Sequence, residues 1–398
     1  MRNSGTMDGA RACRAALLLA VFAPAVAFSA PAVHTVTDFG DSNGAGQLRT
    51  LMNAAAPGDT IIIPPGTIVL AGAANDNANA SGDLDVTKDL TIIGAGAELT
   101  IIDGAGRDRI FHVLSGQTAA ISGLTMRNGF IDPHDPSLFE PSGGGLLSRG
   151  NVTLADVIVA ENTAQGGGGI ANFTPGVMSI SGATIRDNFS SGITANGGGI
   201  SNFGTMTIDS STISGNTISP PGGSTQGAGI INVDTMSITN STVSGNFTEG
   251  GLGAGIYQTP FANILRLTNV TVAQNRTLHL GGGLMSVGGK VVMANTILSD
   301  NEDGFGSPGR DCSGSIDSLG HNLVFQSDCS FAGVTTGNII GRRAGLQPLR
   351  DNGGPTLTHA LRNGSRAIDG GDNVLCPAQD QRGEPRITLC DIGAVEQR

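Results

Sequence analysis

A glycine cluster closed by an aliphatic residue recurs through the middle of the chain, and it constrains the fold more than any other feature. The clusters end at Leu146, Ile170, Ile200, Ile230, Ile256 and Leu284, at intervals of 24, 30, 30, 26 and 28 residues. A second phrase travels with them, as STISGN at 211–216 and STVSGN at 241–246, and its asparagine recurs at Asn162, Asn188, Asn216, Asn246, Asn275 and Asn301. Self-similarity at this period means a solenoid, a propeller or an array. Between the two landmarks, as in 204–213, apolar residues alternate with Thr and Ser, which is strand periodicity rich in β-branched residues. No repeat holds a helical stretch of ten residues, and propeller blades of about 40–50 residues are longer than these units. A parallel β-helix remains, with one coil per repeat and like positions stacked at about 4.8 Å.

That register predicts an inward ladder of Ile170, Ile200, Ile230 and Ile256, and another containing Met206 and Met236. The six asparagines could line a ligand track. A structural row is the stronger reading, because Asn tolerates the left-handed backbone of a corner and stacked amides bond to one another. Asn172, Asn202 and Asn232 read the same way at a second corner. Before the repeats, 47–56 carries Leu48, Leu51, Met52 and Ala55 at helical spacing and stops at Pro57-Gly58. This predicts a short amphipathic helix that caps the first coil.

Residues 1–27 read as a signal peptide: Arg2, Arg11 and Arg14 precede an apolar run and Ala25-Val26-Ala27 offers a cleavage site. No other segment is apolar enough to span a bilayer. An exported chain suits disulfides, and loop closure favours Cys312–Cys329 and Cys376–Cys390 among the three pairings four cysteines allow. The net charge is −11 and the lysines are Lys88 and Lys290 alone. That excludes nucleic acid and anionic membrane surfaces as natural partners. The expected organisation is a cap region over 28–59, coils over 60–311, and C-terminal coils with a stapled cap over 312–398, as a secreted monomer.

At this point the residues resemble known families. Segments 90–94, 99–104 and 121–129 (ISGLTMRNG), with the coils that follow, are similar to the pectate-lyase-like right-handed β-helix superfamily and to repeats of polymorphic outer-membrane proteins. Segment 46–63 resembles the CSLREA N-terminal region, without its cysteine. Segments 351–360 (DNGGPTLTHA), 365–371 (SRAIDGG), 380–386 (DQRGEPR) and 390–396 (CDIGAVE) closely resemble the choice-of-anchor Q domain. The resemblances span Thr35 to Glu396 and imply an all-β, right-handed parallel β-helix exported to the cell surface or beyond. Because no apolar tail follows Glu396, free secretion is expected over anchoring.

Sugar cleavage is the sharp functional hypothesis on such a scaffold. A hydrolase needs two carboxyls about 5–9.5 Å apart, whereas Asp156, Glu161, Asp187, Asp209 and Asp234 fall mostly one per coil at differing offsets. Tyr257 is the only Tyr and there is no Trp to form a sugar platform. The C-terminal cluster of His359, Asp369, Asp372, Asp380, Arg382, Arg386, Asp391 and Glu396 reads as a charge-paired cap over the last coil. Ca²⁺ is the one ion its pattern suggests, through Asp369, Asp372 and Asn373; otherwise no cofactor or metal is expected. His34, His112, His134, His279 and His321 lack metal-ligand spacing and read as packing or surface residues. Insertions of varying length follow each corner Asn, at 130–142, 163–165, 189–196, 217–226, 247–252 and 276–280. At one phase of the coil they predict a loop face, with Asp132, His134, Asp135, Phe139, Glu140, Phe189, Phe247 and His279 as its candidate contacts. The expected function is non-catalytic contact with an extracellular glycan or surface protein. A polysaccharide lyase or hydrolase is the alternative, and a pure spacer a third.

Overall fold

The computed structural model describes residues 30–72, 78–134, 141–192, 194–219, 225–304, 311–387 and 389–397. The expected signal peptide and Asp135, Phe139 and Glu140 lie outside them. The described chain is a parallel β-solenoid with three long ladders, and almost all of its regular structure is strand.

The first ladder stacks the strands that follow the glycine clusters. Leu84, Phe111, Leu146, Ile170, Ile200, Ile230, Ile256, Leu284 and Cys312 stand in register, and each is 0% exposed. The predicted isoleucine ladder is therefore real, and two coils extend it N-terminally without glycine clusters to announce them. The second ladder aligns Val152, Met178, Met206, Met236, Leu265 and Val291 inward, which places Met206 and Met236 as predicted. The third ladder has 11 strands, from Gly66–Val69 to Ile339–Ile340. Inward residues of all three merge into one core, where each fully buried aliphatic contributes about 1.5–3 kcal/mol.

The helix runs Leu48–Ala54, shorter than 47–56, and packs against Thr60–Ile63 with Leu48 and Met52 buried. Arg49 is buried with them at 1% exposure, paired to Asp41 at 2.8 Å and donating to the carbonyls of Gly82 and Asp83. An apolar spacing argument does not see this residue.

One correction concerns the corners. The six repeat asparagines are not the left-handed residues; the residue before each one is, namely Glu161, Asp187, Gly215, Gly245, Gln274 and Asp300, with φ between 54° and 66°. That residue turns the backbone and leaves the asparagine free to aim its amide inward. Asn172, Asn202 and Asn232 are likewise absent from the left-handed positions.

A second correction concerns the C-terminus. Residues 342–397 do not sit over the last coil but run back as a strap along the outer face of the third ladder. Ala344 N–H donates to Ser299 Oγ, Asn295 Nδ2 to the Asp372 carbonyl, Asn240 Nδ2 to the Gln379 carbonyl and Thr212 Oγ1 to the Leu357 carbonyl. The reason is visible on that face. Its outward positions turn apolar at Ala273, Ile297 and Leu323, and these pack with Leu346, Leu361, Ala367 and Ile392 into a second core. The last long strand, Ser327–Val334, is instead largely exposed along its length, with Cys329 and Phe331 half-buried against the main core.

Cys312 and Cys329 join the last two first-ladder strands, with Cα atoms 5.4 Å apart. Cys376 and Cys390 staple the strap, 6.6 Å apart, with Asn295 Nδ2 3.2 Å from Cys376 Sγ. A loop of this size is worth about 3 kcal/mol in the chain-entropy picture. The Cys376→Ser/Cys390→Ser double variant is expected to loosen the strap over Asn269 and Asn295. Hydrogen exchange should show lost protection after about Asp351 and along the outer face of the third ladder, while Ile200 and Ile230 stay protected.

Candidate functional site

The asparagine row is an interior amide ladder. Nδ2 of Asn162, Asn188, Asn216, Asn246 and Asn275 each donates to Oδ1 of the next, at 2.8–3.0 Å, and the backbone N–H of each donates to the same oxygen. All six amides are at most 2% exposed, so no ligand reaches them. A shorter ladder links Asn172, Asn202, Asn232 and Gln258.

The long ladder ends on a carboxyl. Asp311 Oδ1 accepts the Asn301 N–H and Nδ2, both at 2.8 Å, and Oδ2 accepts the Gln326 N–H. An amide could not accept on both sides, which explains an Asp where the row would continue with Asn. Burial pushes its pKa from 3.8 up to about 7. Because the folded value exceeds the unfolded one, the folded state holds the proton longer. The contribution to stability is complete below the unfolded value and is lost as pH rises through about 7. We expect the C-terminal coils to melt at lower temperature at pH about 8 than at about 5. Asp311→Asn should flatten part of that dependence and lower the melting temperature at acidic pH, because its amide nitrogen would face the Gln326 N–H.

Of the C-terminal charged residues, His359, Asp380, Arg386, Asp391 and Glu396 come together beneath the strap's surface, Asp372 and Arg382 are half-buried, and Asp369 is exposed. Arg382 binds Asp380 at 2.7 Å, and Arg386 binds Glu396 at 3.0 Å with both side chains 3% exposed. Glu396 N–H donates to Asp380, and Asp391 accepts the backbone N–H groups of Asp369 and Gln397. Burial raises Asp391 to about 6. His359 bridges Ser244 Oγ and the Gln347 carbonyl, and burial lowers its pKa. The buried members of this set are engaged in fixing the strap. Of the suggested Ca²⁺ set, Asp372 Oδ1 accepts the Val374 N–H within a turn, and Asn373 Oδ1 accepts the Cys390 N–H across the strap.

A different donor set escaped the sequence reading. Asp83, Asp85 and His112 place ligand-type atoms within 4.8 Å of one another. Asp85 and His112 are 27 residues apart in sequence but direct neighbours across two coils, so only the register reveals them. The set could hold a divalent cation by its chemistry. In the structure His112 Nδ1 lies 3.1 Å from Asp85 Oδ1, and the Arg109 guanidinium lies 3.2 Å from Asp83 Oδ2. Asp85 and Asp83 thus each already face a side chain of the fold itself.

A groove of about 380 Å³ lies where the tip of the strap meets the third ladder's corner, with Glu98, Asp156, Asp351 and Arg186 on its walls. All three carboxylates are solvent-exposed, unlike a glycosidase acid, which is held protonated by burial. Asp156, Glu161 and Asp187 occupy left-handed corners, Asp187 is paired to Arg186, and Asp209 ends a second-ladder strand.

The insertions behave differently from projecting loops. Their first residues pair coil to coil as a short outer ladder, Phe130–Thr163–Phe189–Thr217–Phe247–Arg276–Glu302. Their last residues pair again at Ser142, Gly166, Asn196, Gln226 and Leu252. Between them Ala195, Ile218 and Ala228 form a small third core. The described ends of the insertions therefore form a built layer, because their backbones find partners on the next coil. On the outside of the layer Phe130 is 38% exposed and Phe189 and Phe247 are half-buried. The Arg276 guanidinium stacks 5.6 Å from the Phe247 ring and reaches Glu302 at 3.6 Å. Phe189 and Phe247 thus share one row, while Asp132 and His134 lie exposed beyond Phe130 and His279 lies exposed beyond Arg276. Phe130, Thr163 and Thr217 were missed as members of the row; the fixed offset of one residue after each corner Asn would have found the last two.

No family model matches the chain, and no curated protein does. Among solved structures, the chain is similar to the crystal structure of pectate lyase Pel9A, with TM-score 0.55 and 14% identity over 94% of this chain and 98% of that one. The A-module of mannuronan C-5 epimerase AlgE6 from Azotobacter vinelandii matches with TM-score 0.28 and 14% identity over 78% and 99%. The first of these likenesses establishes the pectate-lyase-like β-helix fold.

Proposed function

We propose that the protein is an exported, non-catalytic solenoid that binds an extracellular glycan along its insertion flank. The observation that carries this reading is the outer row of half-exposed aromatics, Phe130, Phe189 and Phe247, held rigidly in register on one side of the coils. Aromatic bodies supply contact area at low entropic cost, and a row parallel to the solenoid axis suits a chain-like ligand. A scaffold shared with a pectate lyase is compatible with a long polysaccharide as that ligand. The resemblance of the two ends to exported families and the two cysteine pairs support an extracellular setting. A lyase or hydrolase acting in the groove of Glu98, Asp156 and Asp351 is the competing reading.

A glycan array probed with the full secreted chain tests the proposal. Saturable binding to glycans that is lost in Phe189→Ala/Phe247→Ala supports it. Binding that survives this double variant but is lost in Asp156→Asn/Asp351→Asn transfers the function to the groove.

A further inference from the structure

Within that glycan-binding reading, on which this inference rests, we infer that the flank selects a neutral, extended, β-1,4-linked glycan rather than a polyuronate. The first ground is periodicity. Phenylalanine does not fill every rung of the outer row; it alternates with Thr163 and Thr217. Aromatic rings therefore recur every second coil, at about 9.6 Å. In an extended β-1,4-linked chain each sugar is rotated by half a turn from its neighbour, so like faces recur every second sugar. The length of that disaccharide unit is close to the two-coil spacing. The intervening threonines, smaller than phenylalanine, leave two notches between rings, where alternate sugars can seat.

The second ground is charge. Phe130, Thr163, Phe189, Thr217 and Phe247 carry none, and Arg276 and Glu302 at the end of the row neutralise each other. The chain as a whole is at −11, a field that repels a polyanion at long range. Nothing on this row offers the unpaired cations that carboxylate sugars require. Arg276 covers one face of Phe247, so the row ends there and the usable length spans Phe130 to Phe247.

Titration calorimetry of the full chain with cellotriose, cellohexaose and hexagalacturonate reads the inference directly. Cellohexaose should bind at least roughly tenfold more tightly than cellotriose, because only the longer chain reaches all three rings, about 19 Å from Phe130 to Phe247. Phe189→Ala, which removes the ring shared by both notches, should cost roughly tenfold. Thr217→Phe supplies the decisive contrast. It adds an aromatic at an outward position and fills one notch, so affinity should fall, whereas a merely sticky apolar strip would bind better. Circular dichroism and melting of each variant confirm that the coils persist. Tighter binding of hexagalacturonate overturns the glycan class while leaving the glycan-binding reading intact. If none of the probes binds and the array is blank as well, that reading falls with it.

Discussion

Ile200→Asp is expected to abolish the cooperative fold of the central coils. The side chain is 0% exposed and stacked between Ile170 and Ile230 in the first ladder. An aspartate there would find aliphatic neighbours above and below. Removing the aliphatic costs about 2–5 kcal/mol, and burying an unpaired carboxylate adds several more. In a solenoid each coil is stabilised by its neighbours, so a broken rung decouples the coils on either side. The variant should be recovered largely unfolded, or with hydrogen-exchange protection lost through the coils containing Ile170, Ile200 and Ile230. An unchanged denaturant midpoint would show that the ladder faces the other way.

The second large effect belongs to the amide ladder. Asn216 Oδ1 accepts two hydrogens from Asn188, and its Nδ2 donates to the Ile185 carbonyl and to Asn246 Oδ1. Asn216→Ala leaves two buried donors on Asn188 and one carbonyl without these partners, and each such group costs about 1–3 kcal/mol. The sum is on the order of 3–5 kcal/mol. Asn216→Asp separates geometry from chemistry: the carboxylate can still accept from Asn188, but it has no donor for Ile185 or Asn246. It should be as damaging as alanine above neutral pH and less so in acid. Asn151→Ala, on the exposed face of the second ladder, should stay within about 0.5 kcal/mol of the parent. Equal denaturant midpoints for the residue 151 and residue 216 variants would mean that the ladder bonds contribute nothing net.

The repeat made the core legible. Spacing of the glycine clusters places Ile170, Ile200, Ile230 and Ile256 on one line without any structure, because a coil must return each like position to the same face. Leu84 and Phe111 belong to the same line but lack the glycine cluster, so the cluster spacing does not reveal their coils. The left-handed corner was misplaced by one residue. Asparagine is the usual signal for that backbone, and here it serves as an inward amide beside Glu161, Asp187 or a glycine. The strap was legible as residues and illegible as a path. Arg382, Arg386 and Glu396 pair as charges do, yet nothing local tells which face of the solenoid they pair against. The signal lay elsewhere, in Ala273, Ile297 and Leu323, apolar residues at positions that point outward. Long-range neighbours such as Asp85 and His112 become visible only once the register of coils without landmarks is known. The aromatic row fell between these cases. Phe189 and Phe247 were singled out as parts of loops, and their alternation with threonine emerged when those loops proved to be paired strands.

Mass spectrometry of a glycan recovered from its complex with the full chain after prolonged incubation tests the non-catalytic binding reading most directly. Saturable capture of a β-1,4-linked glycan is expected, its length and mass unchanged on release, in the parent chain and in Asp156→Asn/Asp351→Asn alike. Shortened products, with water added or with an unsaturated end, that disappear in the Asp156→Asn/Asp351→Asn variant would contradict it and place an enzyme in the groove beneath the strap.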